Sequence, residues 1–204
     1  IGGWRTRSDT ASAGQVRGLH SWIANNSDRW IAAGSYNKLY AYSGAGARYD
    51  ITPTGLTAGN EDALQPVGYG NAFYGLEYYG IARQEVTTIV PATTWAMDSW
   101  GEYLVACSSK DGKVYQWQLN TGTIAAPVAN APVNNRSILV TEERFLMCLG
   151  AGGNPRLVQW SDRENNTVWT PAATNEAGSL ELQTTGRIQC GVRVQNQALI
   201  LTDT

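Results

Sequence analysis

One pattern of apolar and polar positions recurs four times along this chain. Each of the first three copies has an apolar run of strand length, a polar turn rich in glycine or asparagine, and a run in which apolar and polar residues alternate. The fourth copy has the apolar run alone. The four apolar runs begin at Trp30, Tyr103, Phe145 and Ala198. Runs of this kind between turn residues are typical of hairpin strands, so the pattern predicts an all-β protein.

Additional strands extend each copy. A further apolar strand precedes every copy, at residues 19–23, 93–97, 136–140 and 187–192. A fourth strand is predicted in two units, at 49–53 and 167–171, and each ends at a proline. Because proline cannot donate a backbone hydrogen bond, these are expected to be edge strands. Four antiparallel strands with the edge strand last, repeated along the chain, predict the blades of a β-propeller.

The spacing of the copies sets the predicted boundaries. The later copies follow at intervals near the roughly 40–50 residues of known propeller blades, but the first interval is about 25 to 30 residues too long. The excess is rich in glycine and tyrosine, and we interpret it as an insertion. The predicted units are blade 1 at about 16–55, the insertion at about 56–90, blade 2 at about 91–130, blade 3 at about 134–172 and the start of blade 4 at about 186–204. Because a closed propeller needs at least four blades, we expect residues 1–204 to be part of one propeller domain in a longer polypeptide.

Composition limits the classes of function. The chain has 204 residues, of which 43% are hydrophobic and 16% charged, so it is long enough for a sizeable core. Its formal net charge of −2 argues against a protein that binds nucleic acid through a basic surface. No apolar run approaches the length of about 18 residues that a membrane-spanning helix needs. The cysteines Cys107, Cys148 and Cys190 lie in apolar strands and are predicted to be buried thiols, not a disulfide framework.

The sequence contains few candidates for catalysis. The single histidine, His20, has no cluster of partner ligands and is interpreted as structural. Residues 150–154 are rich in glycine, but no Gly-Lys-Ser/Thr follows, so they are predicted to form a hairpin turn and not a phosphate loop. The carboxylates of Glu142, Glu143, Asp162 and Glu164 lie in predicted turns, where such residues usually accept backbone hydrogen bonds. We therefore predict no catalytic, cofactor-binding or metal-binding residue.

The aromatic residues fall into two groups. One group, predicted to form the structural core within or between blades, comprises Trp22, Trp95, Trp117 and Trp160. The other group lies in the insertion and comprises Tyr69, Phe73, Tyr74, Tyr78 and Tyr79. Tyrosine suits surfaces that are partly apolar and partly wet, so we predict that the insertion contacts a neighbouring subunit or an adjacent protein. The alternative is a disordered surface loop.

Several phrases of the sequence resemble tail structural proteins of tailed bacteriophages. They are residues 2–7, 48–53, 91–95, 100–106, 159–162 and 169–171. The class they resemble is the nozzle or hub protein with a β-propeller, which is similar to the packaged-DNA stabilisation and tail tubular proteins of short-tailed phages (podoviruses). The resemblance covers most of the chain outside residues 56–90.

This resemblance implies a non-enzymatic virion protein. Such nozzles form homo-oligomeric rings, commonly of six copies, below the portal and adaptor of the tail. They retain double-stranded DNA in the capsid and conduct it during ejection, without sequence-specific binding, cofactor or membrane. The resemblance therefore implies assembly in the host bacterial cytoplasm, and contacts with copies of the chain and with tail proteins such as the adaptor.

A second hypothesis belongs to a different class of function. A propeller adsorption protein could bind or cleave host-surface glycans, as sialidases do. Residues 161–169 are similar to the Asp-box of sialidase propellers, although the aspartate stands one place early and the glycine is missing. A glycan site needs aromatic and carboxylate side chains that converge at one mouth of the propeller. A nozzle is expected to spread its aromatic residues over subunit contacts instead.

Overall fold

A computed structural model describes residues 3, 6, 8, 10–64, 89–195 and 197–203. Within these ranges the regular elements are β-strands, together with one short 3-10 turn at Ala151–Gly153. The prediction of an all-β protein is therefore confirmed. None of the residues described forms a helix that could cross a membrane.

The strands form four antiparallel sheets in the order of the chain. The first sheet contains β1 (Gly18–Ile23), β2 (Arg29–Gly34), β3 (Leu39–Ser43) and β4 (Arg48–Asp50). The second contains β5 (Trp95–Trp100), β6 (Tyr103–Ser108), β7 (Val114–Trp117) and β8 (Ala126–Pro127). The third contains β9 (Ser137–Val140), β10 (Leu146–Leu149), β11 (Leu157–Trp160) and β12 (Gly178–Glu181). The fourth contains β13 (Ile188–Val194) and β14 (Gln197–Thr202).

The alternating strand pattern places one set of side chains on each face of a sheet. In the first sheet Trp22 pairs with Trp30, and both point toward the second sheet together with Ala32. Their neighbours Leu19 and Ile31 point to the opposite face, because successive side chains in a strand alternate. The first hydrophobic core thus lies between the first and second sheets.

Successive sheets contact one another through their first strands. β1 packs against β5, β5 against β9, and β9 against β13. A second core fills the space between the second and third sheets, with Val105 and Cys107 facing Ile138 and Leu146. A smaller third core joins the third and fourth sheets around Ile188. The chain therefore builds a stack in which each sheet covers one face of the next.

Turn residues fix the hairpins where the sequence predicts them. Gly112, between β6 and β7, has a φ of 66°, which favours glycine. A Cβ atom at this position would lie 2.6 Å from the Cα of Asn134, so the backbone of the third unit approaches too closely for a side chain. The glycine-rich residues 150–154 form the turn between β10 and β11, as predicted.

The fourth strand of the third sheet differs from the prediction. It is β12, at Gly178–Glu181, and not residues 167–171. Trp169 is buried in the second core, and its indole N–H donates to the carbonyl oxygen of Asn166 at 2.7 Å. That anchor holds the segment in a loop, so the third unit extends beyond the predicted end at residue 172.

The residues that follow the predicted start of the insertion, at about residue 56, contact the packed sheets. Leu56 packs against the first core, and the backbone N–H of Thr57 donates to Asp111 of the second unit at 3.2 Å. Leu64 and Val90 then exchange two backbone hydrogen bonds of 2.9 and 3.1 Å. Residues 56–64 therefore contact the packed sheets, and the Leu64–Val90 pair joins the two described segments.

One of the three cysteine predictions needs correction. Cys107 and Cys148 are buried in the second core, as predicted, whereas Cys190 is exposed. Cys190 lies on β13 of the fourth sheet, opposite Leu201 of β14. Its side chain points away from the third sheet, and no further sheet covers that face among the described residues.

Candidate functional site

The predicted tryptophans lie at the contacts between sheets. Trp22, Trp95 and Trp117 are buried, and Trp160 is half-buried beside the third core. The indole N–H of Trp95 donates to the carbonyl oxygen of Ser35 in the first sheet at 2.7 Å. The indole N–H groups of the other three tryptophans also have backbone acceptors. Each large ring therefore buries its apolar area without leaving its donor unpaired.

The other predicted contact group cannot be placed. Tyr69, Phe73, Tyr74, Tyr78 and Tyr79 all lie outside the described residues. Their contact with a neighbouring subunit remains a prediction.

A polar cluster around His20 crosses the contact between the first three sheets. The His20 Nε2 atom lies 2.8 Å from the hydroxyl oxygen of Ser99, and the imidazole stacks on Trp22. Burial lowers the pKa of His20, and the nearby carboxylate of Asp98 opposes that shift in part. Asp98 also accepts a 2.8 Å hydrogen bond from the backbone N–H of Val140 in the third sheet. The cluster joins sheets to one another, and among the described residues the Ser99 hydroxyl is the potential nucleophile within hydrogen-bond distance of the imidazole.

The candidate carboxylates lie in turns. Asp162 accepts a 2.9 Å hydrogen bond from the backbone N–H of Glu176, which fixes the loop before β12. Glu164 is exposed and has a φ of 54° within the same turn, and Glu142 and Glu143 are exposed in the turn before β10. Within the residues that the structure describes, no group of three or more His, Cys, Asp or Glu could hold a metal ion.

The most distinctive concave surface is a cleft of about 240 Å³ where the second, third and fourth sheets meet. We call it the basic cleft. Its lining is formed by Ser109, Lys110, Gly112, Asn134, Asn135, Arg136, Gly150, Gly153, Pro155, Arg187 and Ile188. Three of these residues are cationic, and none of the lining residues is acidic. The cleft is therefore a positively charged site on a chain whose net charge is negative.

Local structure explains why the cations meet there. Arg136 and Arg187 each stand immediately before the first strand of a sheet, β9 and β13. Since β9 packs against β13, their two starting points lie close together. Lys110 lies on the turn between β6 and β7, which Asn135 ties to the third unit by donating to the carbonyl oxygen of Gly112 at 2.8 Å.

The three cations of the cleft differ in their hydrogen-bond and ion-pair partners. Arg136 donates to the amide oxygen of Gln189 at 3.1 Å, and Gln189 donates to Asp203 at 3.0 Å. The Nε atom of Arg187 lies 3.7 Å from the same carboxylate. Lys110 is exposed, and its ammonium has no acidic partner among the described residues. Asp203 thus pairs directly with Arg187 and is linked to Arg136 through Gln189.

Sequence reasoning missed this cleft, although a signal exists. Arg17 precedes β1 just as Arg136 precedes β9 and Arg187 precedes β13. An arginine directly before the first strand therefore recurs in three of the four sheets. Arg17 is instead engaged by Asp62, at 2.9 Å. Only the packing of sheets reveals which of these arginines share a cleft.

At the two ends of the stack, no other sheet of the described residues covers the apolar outer face, and we call these two surfaces the end faces. On the first sheet the end face includes Leu19, Ile23 and Ile31, and Leu19 is 70% exposed. On the fourth sheet it is formed by Val192, Val194, Leu199 and Leu201, which are 46–50% exposed. Large apolar side chains grouped in this way are typical of interaction surfaces.

No known protein family, curated protein or solved structure matches this chain. The fold and the basic cleft therefore have to be interpreted from their own geometry. The similarity to phage tail proteins stays at the level of the short sequence phrases named above.

Proposed function

We propose that this chain is part of a β-propeller in a non-enzymatic tail nozzle or hub protein of a bacteriophage. The observation that supports a propeller is the order of contacts between sheets. The first strand of each sheet packs against the first strand of the next. In a propeller the first strands surround a central channel, and the later strands fan outward. Three four-stranded sheets followed by a two-stranded sheet fit three blades and the beginning of a fourth.

The end faces support incorporation of this stack into a larger ring. Leu199 is 49% exposed on the fourth sheet, whereas side chains at the internal contacts are buried. Leu180, on the last strand of the third sheet, is also exposed where the two-stranded fourth sheet does not reach. Further strands and sheets of the same kind would cover both positions and complete the ring of blades.

The tail assignment comes from the sequence phrases that resemble nozzle and hub proteins. In this proposal the chain assembles with copies of itself, six in the related class, below the portal and adaptor of the virion. Double-stranded DNA passes without specific binding, because each phosphate that a protein neutralises adds affinity and would hinder transit. A low overall charge suits that role.

A structural role, without catalysis, agrees with the surroundings of the candidate acids. Asp162 accepts a backbone hydrogen bond, and the exposed Glu164 lies on the same turn. The hydroxyl of Ser161, between Trp160 and Asp162, donates to a backbone carbonyl oxygen. These groups stabilise a turn, so the glycan-cleaving alternative has the weaker support.

The proposal can be tested in the phage whose genome encodes the chain. Peptides of the chain should be found in purified tailed particles by mass spectrometry. Substitution Leu199→Asp places a charge on the end face, and we expect particles with incomplete tails and DNA that is accessible to nuclease, scored by electron microscopy and DNase protection.

The matched control is Ile124→Asp, at a position 47% exposed in the loop between β7 and β8. It should leave tails and DNA retention intact. Absence of the peptides from tailed particles would overturn the tail assignment. Intact tails in the Leu199→Asp phage would overturn the role of the end face.

A further inference from the structure

We infer that the basic cleft is a binding site for a saccharide that carries a carboxylate or phosphate group. This inference goes beyond the proposed tail function and does not depend on it. It starts from the charge of the site: Lys110, Arg136 and Arg187 line it, and Asp203 lies within ion-pair distance of Arg187.

The charge arrangement favours an anionic ligand. Asp203 is shared between Gln189 and Arg187, so it neutralises one of the cations. The Lys110 ammonium faces solvent without an acidic partner in the described part of the chain. Lysine and arginine donate the charge-assisted hydrogen bonds that carboxylates and phosphates accept most strongly.

The remaining lining favours a ligand with hydroxyl groups. Ser109 and Asn134 add a hydroxyl and an amide group to the wall, and such groups both donate and accept hydrogen bonds. The buried Asn135 side chain donates to two carbonyl oxygens, of Gly112 and Pro132, and so fixes the wall of the cleft. An anion alone would leave the Ser109 and Asn134 groups unused, whereas a saccharide supplies hydroxyl groups that pair with them.

The size of the cleft separates a sugar from a nucleic acid. A volume of about 240 Å³ holds about eight waters at their liquid volume, which is room for one sugar ring with its anionic group. A site for a nucleic-acid backbone is expected to be a basic groove that extends over several nucleotides. The cations here converge on one concave point, so we favour the compact ligand.

The experiment is titration calorimetry with the purified chain at low ionic strength. The probes are glucuronate, glucose 6-phosphate, neutral glucose, inorganic phosphate and a short DNA duplex. We expect both anionic sugars to bind with dissociation constants near about 1 mM, and glucose to show no binding. Binding should weaken as sodium chloride is added, because salt screens exposed charges.

Variants locate the site. Lys110→Gln should weaken binding of both anionic sugars about tenfold, since the variant removes a charge-assisted hydrogen bond to the ligand. Lys110→Gln combined with Arg187→Gln should abolish it. The matched control is Arg163→Gln, which removes an exposed arginine outside the cleft and should leave binding unchanged. Circular dichroism of each variant verifies that the sheets are intact.

Each other outcome overturns the inference. Inorganic phosphate that binds as tightly as glucose 6-phosphate would mean that the cleft recognises the anion alone. DNA that binds more tightly than the sugars, or displaces them, would assign the cleft to nucleic acid. The proposed site would be refuted if neither sugar bound, or if the wild-type and Lys110→Gln chains bound the sugars equally.

Discussion

The face of the second sheet that meets the first sheet and the outer face of the fourth sheet are built from similar apolar side chains, but their surroundings differ. Trp117 on the internal face is 1% exposed and packs edge-on against Trp30 with ring centroids 5.2 Å apart. Leu199 on the end face is 49% exposed. Strand alternation predicts the face of the sheet on which each side chain lies. It therefore identifies apolar residues that favour burial, but it does not identify the sheet or subunit that covers them.

This difference in exposure determines where the burial of apolar side chains can still contribute free energy. Full burial of a large apolar side chain contributes about 1.5–3 kcal/mol. The internal contacts have already gained that free energy in the isolated chain. On the end face of the fourth sheet, where the apolar side chains are 46–50% exposed, about half of it remains available. The end faces are therefore expected to contribute to assembly, and the internal faces to folding.

The largest expected effect comes from Trp117→Ala. Removing this ring leaves a cavity in the first core, and truncation of a core tryptophan costs about 3–5 kcal/mol. Urea unfolding followed by far-ultraviolet circular dichroism should record a loss of that size in the free energy of unfolding. Because the sheets stack on one another, the loss should lower the midpoint of the whole transition.

The comparison variant is Leu199→Ala on the end face. Surface substitutions usually change stability by about 0.5 kcal/mol or less, and we expect a value in that range. A loss as large as that of Trp117→Ala would mean that the end face is already covered in solution, which sedimentation velocity would then detect as self-association.

A smaller effect is expected from the titration of His20, which lies on an internal face. Burial lowers its folded-state pKa below the unfolded value of about 6.5, although Asp98 opposes the shift. Between the folded-state pKa and about pH 6.5, the unfolded chain then binds more protons than the folded chain. The free energy of unfolding should therefore rise with pH across this interval and fall as the pH is lowered through it.

The control for this prediction is His20→Gln, which cannot titrate. Urea midpoints measured at several values between about pH 5 and about pH 8 should rise more steeply with pH in the wild type than in the variant. Identical slopes would contradict the prediction, because they would mean that folding leaves the pKa of the imidazole unchanged.

The sequence predicted most strands correctly because each has a strong local signal. Leu104 and Val105 stand in a continuous apolar run, and Asp111-Gly112 is a favourable hairpin turn. The fourth strand of the third sheet was missed because its residues, Gly178–Glu181, have little apolar character, whereas the segment around Trp169 does. There the burial of one tryptophan in a loop outweighed its preference for a strand.

The basic cleft could not be predicted for a different reason. Lys110, Arg136 and Arg187 are far apart in the sequence, and each alone resembles an ordinary solvated cation beside a turn. Their convergence depends on how the second, third and fourth sheets pack, which local patterns do not encode. The repeated arginine before the first strand becomes informative only after the stack is known.

The smallest expected effect concerns the cysteines and leaves stability unchanged. Burial raises the pKa of Cys107 to about 12 and that of Cys148 well above its ordinary value, so both thiols should be unreactive in the folded chain. Cys190 is exposed on the end face and should react rapidly with Ellman's reagent. We expect one fast thiol per chain in the native state and three after unfolding in urea, with the fast phase lost in Cys190→Ser.

Two or three fast thiols in the native chain would mean that the second core opens readily. No fast thiol would mean that the end face is covered, because the same surface that leaves Leu199 exposed also leaves Cys190 accessible.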